Sequence, residues 1–257
     1  MALRDLIFRA TERVRRAVGA RPRATDWKVW DLDPSDRERL SPSASTDCAK
    51  LFYAHHGRII HKWIHYLDIY DRHLAPFRGT AVKILEIGVF KGGSLDLWRK
   101  FFGAEATIFG VDVNPECAAL VTPPNQVRTG SQADPEFLRS VVHEMGTPDI
   151  ILDDGSHRAR HQRVSFDTLF PLLRDGGLYV IEDLHTSYEP GIFEGGYRRK
   201  GSAIERVKDM IDDMHAWYHT RATTTPARDH IYAIHVYDSI VILEKRTITR
   251  PAGIQIG

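Results

Sequence analysis

The chain has 257 residues, 42% hydrophobic and 27% charged, a composition ordinary for a soluble globular protein of one α/β domain with an additional segment. Its formal net charge of +1 gives no reason to expect nucleic acid as a partner, and no apolar run approaches the ~20 residues that a transmembrane helix needs. The two cysteines, Cys48 and Cys117, lack a metal-type spacing and favour a reduced, cytoplasmic setting.

Residues 1–45 are predicted to form a basic amphipathic helix followed by a linker. Seven apolar residues recur at helical spacing: Leu3, Leu6, Ile7, Ala10, Val14, Ala17 and Val18. Up to Arg23 this arm carries a net charge of +5, and it lacks the unbroken apolar core of a signal peptide. Such a helix could contact a membrane surface peripherally. Packing against its own domain or a second subunit is favoured, and we expect a homo-oligomer.

Residues 46–257 are predicted to form the main domain, opening with a helical cap over residues 46–75. Thr46 or Asp47 resembles an N-cap, and the apolar spacing predicts one helix running on through Leu67. His61 and His65 lie one turn apart, a spacing that could bind zinc. Because no third ligand lies nearby in the sequence, a cap contributing aromatic side chains beside a ligand is the favoured interpretation.

The stretch from Lys83 to Leu97 predicts a strand, a glycine turn and a helix. Glycines at this junction let the backbone approach a ligand, and the helix start offers free N–H groups. The next strand, predicted over 108–111, is followed by Asp112, which can hold the hydroxyls of a ribose. We therefore expect an adenosine compound, bound by Glu86, Gly88, Ser94 and Asp112.

The loop departs from the dinucleotide pattern G-x-G-x-x-G because Glu86 lies inside it. A carboxylate there would repel a pyrophosphate but suits a ligand that carries an ammonium and a sulfonium. After a third predicted strand, Gln132 and Asp134 are candidate adenine contacts. Their alternative role is to cap the helix predicted from Pro135.

Acidic residues follow the fourth and fifth predicted strands. Asp153 and Asp154 end one strand, and Glu182 and Asp183 end the next. Because the carboxyl ends of parallel strands share one sheet edge, these acids should lie with Glu86 around a positive group. Mg²⁺ is the expected ion, with Asp154, Glu182 and Asp183 as ligands and Asp153 facing the cofactor. The alternative is that some acids cap helices or pair with nearby arginines.

His157, three residues after Asp154, is a candidate general base. A hydroxyl that attacks a methyl sulfonium must lose its proton, and imidazole exchanges protons near neutral pH. A neighbouring Mg²⁺ would stabilise the charge that develops on the oxygen. The rival role is that of a metal ligand together with His161.

The remaining sequence predicts a lid and an antiparallel hairpin. Residues 184–201 are rich in glycine and aromatic residues, which suits a lid whose His185, Tyr188 and Tyr197 would contact the acceptor. An amphipathic helix follows, and Ile231–Tyr237 and Ile240–Leu243 read as paired strands. The expected fold is a Rossmann-like, mostly parallel seven-stranded α/β sheet closed by this hairpin.

The E-x-G-x-x-x-G-G-S loop resembles the first motif of class I S-adenosylmethionine-dependent methyltransferases. The runs D-D-G-S-H and I-E-D, with the segment Y-D-R-H-L-A-P-F-R before the first strand, are similar to Mg²⁺-dependent sugar O-methyltransferases of the mycinamicin and tetracenomycin type. The resemblance spans about Asp47 to Leu184. It implies S-adenosylmethionine as methyl donor, Mg²⁺ at Asp154, Glu182 and Asp183, and His157 as base. The implied acceptor is a sugar or glycoside hydroxyl; alternatives are a phenol or catechol methyltransferase, or a non-catalytic cofactor-binding module.

Overall fold

A computed structural model of the chain describes residues 32–222, 225 and 227–257. Leu40–Gly257 forms one compact unit, and residues 32–39 belong to a separate unit, Met1–Arg39. The amphipathic helix predicted within residues 3–18 lies outside the described residues.

Seven strands form a single sheet in the main unit. They are β1 (Lys83–Ile87), β2 (Thr107–Asp112), β3 (Gln126–Thr129), β4 (Ile150–Asp153), β5 (Leu178–Ile181), β6 (Ile231–Val236) and β7 (Val241–Lys245). Their order across the sheet is β3-β2-β1-β4-β5-β7-β6. The first five run parallel, while β7 is antiparallel to both β5 and β6. The predicted fold class, including the closing hairpin, is confirmed.

Both faces of the central strands are buried, so their side chains alternate between two apolar cores. Ile84 of β1 and Leu152 of β4 belong to one core. Their neighbours Leu85 and Ile151 belong to the other. This alternation also decides which way each acid at a strand end points.

The described residues also form α-helices. They are α1 (Asp36–Leu40), α2 (Asp47–Tyr53), α3 (Tyr66–Leu74), α4 (Gly93–Phe102), α5 (Glu116–Leu120), α6 (Pro135–Met145), α7 (Ala159–Leu169) and α8 (Ala203–Met214). Residues of α2, α3 and α4 lie in the first core, and residues of α6, α7 and α8 lie in the second.

The cap region differs from the single helix predicted after Thr46. Thr46 is the N-cap, and its side chain accepts from the Ala49 amide. The helix then ends at Tyr53, and residues 54–65 form an irregular segment before α3. The His55 ring is hydrogen-bonded to the Arg58 carbonyl (2.7 Å), and this local bond stabilises a turn in place of helix. The prediction of one helix across 52–67 is therefore wrong, since residues 54–65 interrupt it.

The predicted lid contains two short 3₁₀ helices, Leu184–Tyr188 and Gly191–Phe193. Its backbone folds back on itself, with the Gly195 amide donating to the Glu189 carbonyl (2.7 Å). Across the described residues, no helix has the length and apolar character needed to span a bilayer.

Candidate functional site

A cavity of about 600 Å³ opens at the carboxyl ends of the parallel strands. It lies where the strand order reverses between β1 and β4, the position at which open α/β sheets bind ligands. Predicted site residues that line it are Gly88, Asp112, Gln132, Asp154, His157, Glu182 and Asp183. The cavity therefore joins the predicted cofactor loop to the predicted metal edge.

The backbone after β1 approaches the loop after β4 too closely for a side chain. Gly88 has φ of +93°, and a Cβ added there would lie 2.1 Å from the Asp154 carbonyl oxygen. The Asp112 carboxylate accepts from the amides of Val89 (2.9 Å) and Phe90 (3.1 Å). Asp112 thus fixes the glycine loop while it lines the cavity.

Glu86 and Ser94 lie beneath the cavity surface, on the face of the first core. Ser94 Oγ donates to Glu86 Oε2 (2.7 Å), and Trp98 Nε1 donates to Oε1 (3.2 Å). Burial raises the pKa of Glu86 to about 7, although Lys62 acts in the opposite direction. In this conformation Glu86 contributes charge to the site from below.

A buried lysine, which the sequence analysis did not identify, lies among the acids. The Lys62 ammonium donates to Asp154 Oδ2 (2.5 Å) and to both Glu182 oxygens (2.8 and 3.0 Å), and it lies 3.9 Å from Glu86. Its side chain is only 2% exposed. Burial alone would lower the pKa of Lys62, but Asp154, Glu182 and Glu86 raise it above its ordinary value. Lys62 is therefore a fixed positive charge that holds the acid cluster together.

Glu182 is the most enclosed of the predicted metal ligands. Besides Lys62, it accepts from the Tyr70 hydroxyl (2.5 Å), and its side chain is 1% exposed. Burial and the neighbouring Asp154 raise its pKa well above the ordinary value. To bind an ion, Glu182 must exchange part of its contact with Lys62.

Asp154 and Asp183 present their remaining oxygens to the cavity on either side of His157. His157 Nε2 lies 3.9 Å from Asp154 Oδ1 and 3.6 Å from Asp183 Oδ2. One ligand atom from each of the three residues lies within 4.8 Å of the others. Trp63 Nε1 and the Tyr66 hydroxyl each donate to Asp183 Oδ1 (3.1 Å).

This donor set fits a hard divalent cation. Asp154 and Asp183 are partly exposed, and each directs one carboxylate oxygen, Oδ1 and Oδ2 respectively, towards the His157 ring; carboxylate oxygens are the ligands that Mg²⁺ prefers. The His157 ring lies beside these two carboxylates, and its buried Nδ1 has no hydrogen-bond partner among the described residues. Asp154 and Asp183 would hold the ion, with His157 beside it.

Asp153 points to one face of the sheet, whereas Glu86 and Glu182 point to the other. It accepts from Gln132 Nε2 (3.1 Å) and from Ser165 Oγ, and it is fully buried. Gln132 in turn accepts from the Ser156 amide (2.6 Å). Gln132 thus lines the cavity with Asp153 supporting it from behind.

Asp134 and His161 have local partners. Asp134 is the N-cap of α6 and accepts from the amides of Glu136 and Phe137, which is the capping role weighed in the sequence analysis. The His161 Nδ1 is hydrogen-bonded to Ser156 Oγ (2.8 Å). His161 therefore does not join His157 in the group of potential ligands.

The three predicted acceptor contacts lie outside the cavity lining. His185 is hydrogen-bonded to Ser239 Oγ (2.7 Å) and packs edge-on against Trp63. Tyr188 is exposed, and Tyr197 is 80% exposed. His185 Nδ1 lies 4.0 Å from Asp183 Oδ1, so His185 lies beside the acids, whereas the two tyrosines lie in the exposed part of the predicted lid.

Besides Lys62, the cap contributes three contacts to the acids that were not predicted, from Trp63, Tyr66 and Tyr70. The available signal was a charged residue between apolar ones, in I-I-H-K-W-I. A helix at this position would not by itself indicate that the Lys62 side chain points towards the sheet. Its partners lie 92 and 120 residues away, which local periodicity cannot reveal.

Comparison with known proteins agrees with this architecture. Residues 85–184 match the family described as Methyltransferase domain. A tetracenomycin rhamnosyl 3'-O-methyltransferase of Streptomyces olivaceus is 38% identical over 223 residues, covering 80% of this chain and 56% of that protein. The L-olivosyl-oleandolide 3-O-methyltransferase of Streptomyces antibioticus is 39% identical, covering 72% of this chain and 50% of that protein.

Among solved structures, the MycE methyltransferase of the mycinamycin pathway, in complex with Mg, SAH and mycinamycin VI, superposes with a TM-score of 0.68 at 32% identity. The match covers 82% of this chain and 54% of that one. The chain thus spans about half the length of the curated relatives it matches. It has the class I methyltransferase fold, with the methyltransferase domain match at residues 85–184, and it resembles the sugar O-methyltransferases of macrolide and tetracenomycin pathways.

Proposed function

We propose that this protein is an S-adenosylmethionine- and Mg²⁺-dependent O-methyltransferase that acts on a sugar or glycoside hydroxyl. The observation that carries the proposal is the convergence of Asp154, Asp183 and His157 on one cavity that Gly88 and Asp112 also line. The resemblance to MycE, whose complex contains Mg and SAH, supports the same assignment.

The cofactor would lie between the glycine loop and the loop after β3. Asp112 would accept from the ribose hydroxyls, and Gln132 would contact the adenine. Glu86, below the loop, would attract the ammonium and the sulfonium through its charge. These contacts would direct the donor methyl group towards the acid edge.

In the proposed reaction the acceptor oxygen attacks the methyl carbon, the carbon–sulfur bond breaks, and the sulfur leaves as a thioether. His157 takes the hydroxyl proton at Nε2, which lies 3.9 Å from Asp154 Oδ1 and 3.6 Å from Asp183 Oδ2. A bound Mg²⁺ would lower the cost of developing negative charge on the acceptor oxygen.

The test is methyl transfer from S-adenosylmethionine to a set of sugars, glycosides and phenols, measured with Mg²⁺ and with chelator. We expect transfer to a sugar hydroxyl that chelator abolishes and that D154N and D183N lose. His157→Ala should lower the rate by ~10²–10⁴-fold while the cofactor product still binds in calorimetry. The matched control is Asp209→Asn, an exposed acid on α8, which should retain full activity.

Other outcomes would overturn specific parts of the proposal. Full activity in chelator refutes the metal, and transfer to phenols alone reassigns the acceptor class. Binding of cofactor without transfer to any acceptor would indicate a binding module.

Two further features, the cellular setting and the acceptor contacts, belong to the same proposal. A reduced, cytoplasmic setting is supported by Cys48 and Cys117, which are both buried and free. His185 already lies beside Asp183, whereas Tyr188 and Tyr197 would reach the acceptor only if residues 184–201 move over the cavity.

A further inference from the structure

A second group of potential metal ligands lies outside the cavity lining. His73 is in the last turn of α3, His235 is on the edge strand β6, and Glu244 is on β7. One ligand atom from each lies within 4.8 Å of the others, and all three side chains are partly buried. The His73 and His235 ring centroids are 4.5 Å apart.

The chemistry of this group differs from that of the acid edge. Two imidazoles and one carboxylate form the nitrogen-rich set that suits zinc-class ions, whereas Mg²⁺ prefers oxygen donors. A tetrahedral zinc ion binds its donor atoms at ~2.0–2.2 Å, which brings these atoms closer to one another than 4.8 Å. Modest side-chain rotation would therefore complete the site.

Existing contacts join His235 to Glu244 and His73 to Tyr237. His235 Nε2 lies 2.6 Å from Glu244 Oε1, and His73 Nε2 lies 2.8 Å from the Tyr237 hydroxyl. Tyr237, which lies directly after β6, places a further oxygen beside His73. Hydrogen bonding alone is the competing explanation, and it predicts no tight metal binding.

We propose that His73, His235 and Glu244 form a second divalent-cation site, of zinc type, that joins α3 to the β6–β7 hairpin. An ion at this site would also affect the acid edge, because α3 contains two residues that contact the acids. Tyr66 and Tyr70 on this helix donate to Asp183 and Glu182, so an ion at its far end would restrain the helix that supports the acid edge. The proposal does not depend on the methyltransferase function.

Cobalt(II) is a suitable probe because its visible absorption is strong in a low-coordinate, nitrogen-containing site and weak in a six-coordinate oxygen site. Metal-free protein is titrated with Co²⁺ in the presence of excess Mg²⁺, and Zn²⁺-dependent thermal unfolding is measured in parallel. We expect one Co²⁺ with strong absorption, displaced by Zn²⁺, and a higher unfolding temperature with Zn²⁺.

The variant H73Q/H235Q should lose the strong absorption and weaken Zn²⁺ binding at least tenfold, with an unchanged far-UV circular dichroism spectrum. His143→Gln, an exposed histidine on α6, is the matched control and should bind as the unchanged chain does. D154N should retain the strong absorption, which separates this site from the acid edge. If H73Q/H235Q or the single variant H235Q binds Co²⁺ and Zn²⁺ as the unchanged chain does, the site is refuted.

Discussion

At the scale of single residues, the Lys62 ammonium determines the charge balance of the site. It contacts Asp154 and Glu182 directly and lies 3.9 Å from Glu86. Removing one partner from a buried ionic group leaves the opposite charges uncompensated, which commonly costs ~3–5 kcal/mol. The same ammonium also competes with any divalent ion for Asp154 and Glu182.

This competition predicts the behaviour of Lys62→Met, which keeps the length of the side chain and removes its charge. We expect it to lower the free energy of unfolding by ~3–5 kcal/mol without divalent ions. Mg²⁺ should then raise the unfolding temperature more in the variant than in the unchanged chain, because the ion supplies the missing positive charge. Thermal unfolding with and without Mg²⁺ measures both effects.

Lys91→Met, which removes an exposed lysine near the same cavity, is the control and should leave stability and the Mg²⁺ response unchanged. An equal Mg²⁺ response in K62M and the unchanged chain would contradict the competition between lysine and metal.

The sequence predicts that the acids lie at one edge of the sheet, but it does not predict the direction in which each side chain points. Strand-end position alone places Asp154, Glu182 and Asp183 at one edge, and the structure has them there. Side-chain alternation then sends Asp153 to the second face, where Ser165 and Gln132 bind it. That direction depends on strand register, and the position of Lys62 depends on contacts far apart in sequence.

At the scale of elements, the loop after β3 contains polar residues that could either cap the next helix or contact a ligand. Asp134 was a candidate adenine contact, yet its carboxylate accepts from two amides at the start of α6. Gln132, two residues earlier, lines the cavity. The sequence could not separate these roles, since capping residues and ligand contacts share the same polar composition.

Asp134→Ala tests the capping role directly. We expect it to lower the free energy of unfolding by ~0.5–2 kcal/mol, the usual cost of losing an N-cap, and to leave the affinity for the cofactor product unchanged. Asp134→Ser, which retains a capping oxygen, should recover most of that stability. Denaturant unfolding and calorimetry measure the two quantities, and a weaker cofactor affinity in D134S would instead indicate a direct contact.

At the scale of the whole molecule, the predicted sheet and its closing hairpin are confirmed, because continuous apolar strands and glycine turns leave few alternatives. The irregular segment 54–65 was not predicted, although it sets the wall of the site. Gly93, at the start of α4, leaves room for it: a Cβ there would lie 2.4 Å from the Arg58 carbonyl oxygen. The apolar pattern of 52–67 resembles a helix, and the segment's conformation depends on the domain beneath it.

Burying acids under this segment makes the stability of the whole molecule depend on pH. The pKa of Glu86 rises from 4.5 to about 7 on folding, so between these values the folded chain holds a proton that the unfolded chain has released. Stability from this group is therefore fully present below pH 4.5 and is lost as the pH rises towards 7, by about 3 kcal/mol.

Glu86→Gln removes this titration while keeping the shape of the side chain. As the pH rises from 4.5 to 8, the unchanged chain should therefore lose about 3 kcal/mol of unfolding free energy relative to E86Q. Denaturant unfolding across that range, in metal-free protein without cofactor, measures the difference. The exposed control Glu136→Gln on α6 should give a difference that changes little with pH. A constant difference for E86Q would mean that Lys62 keeps Glu86 ionised throughout, and that the buried acids contribute no destabilising titration.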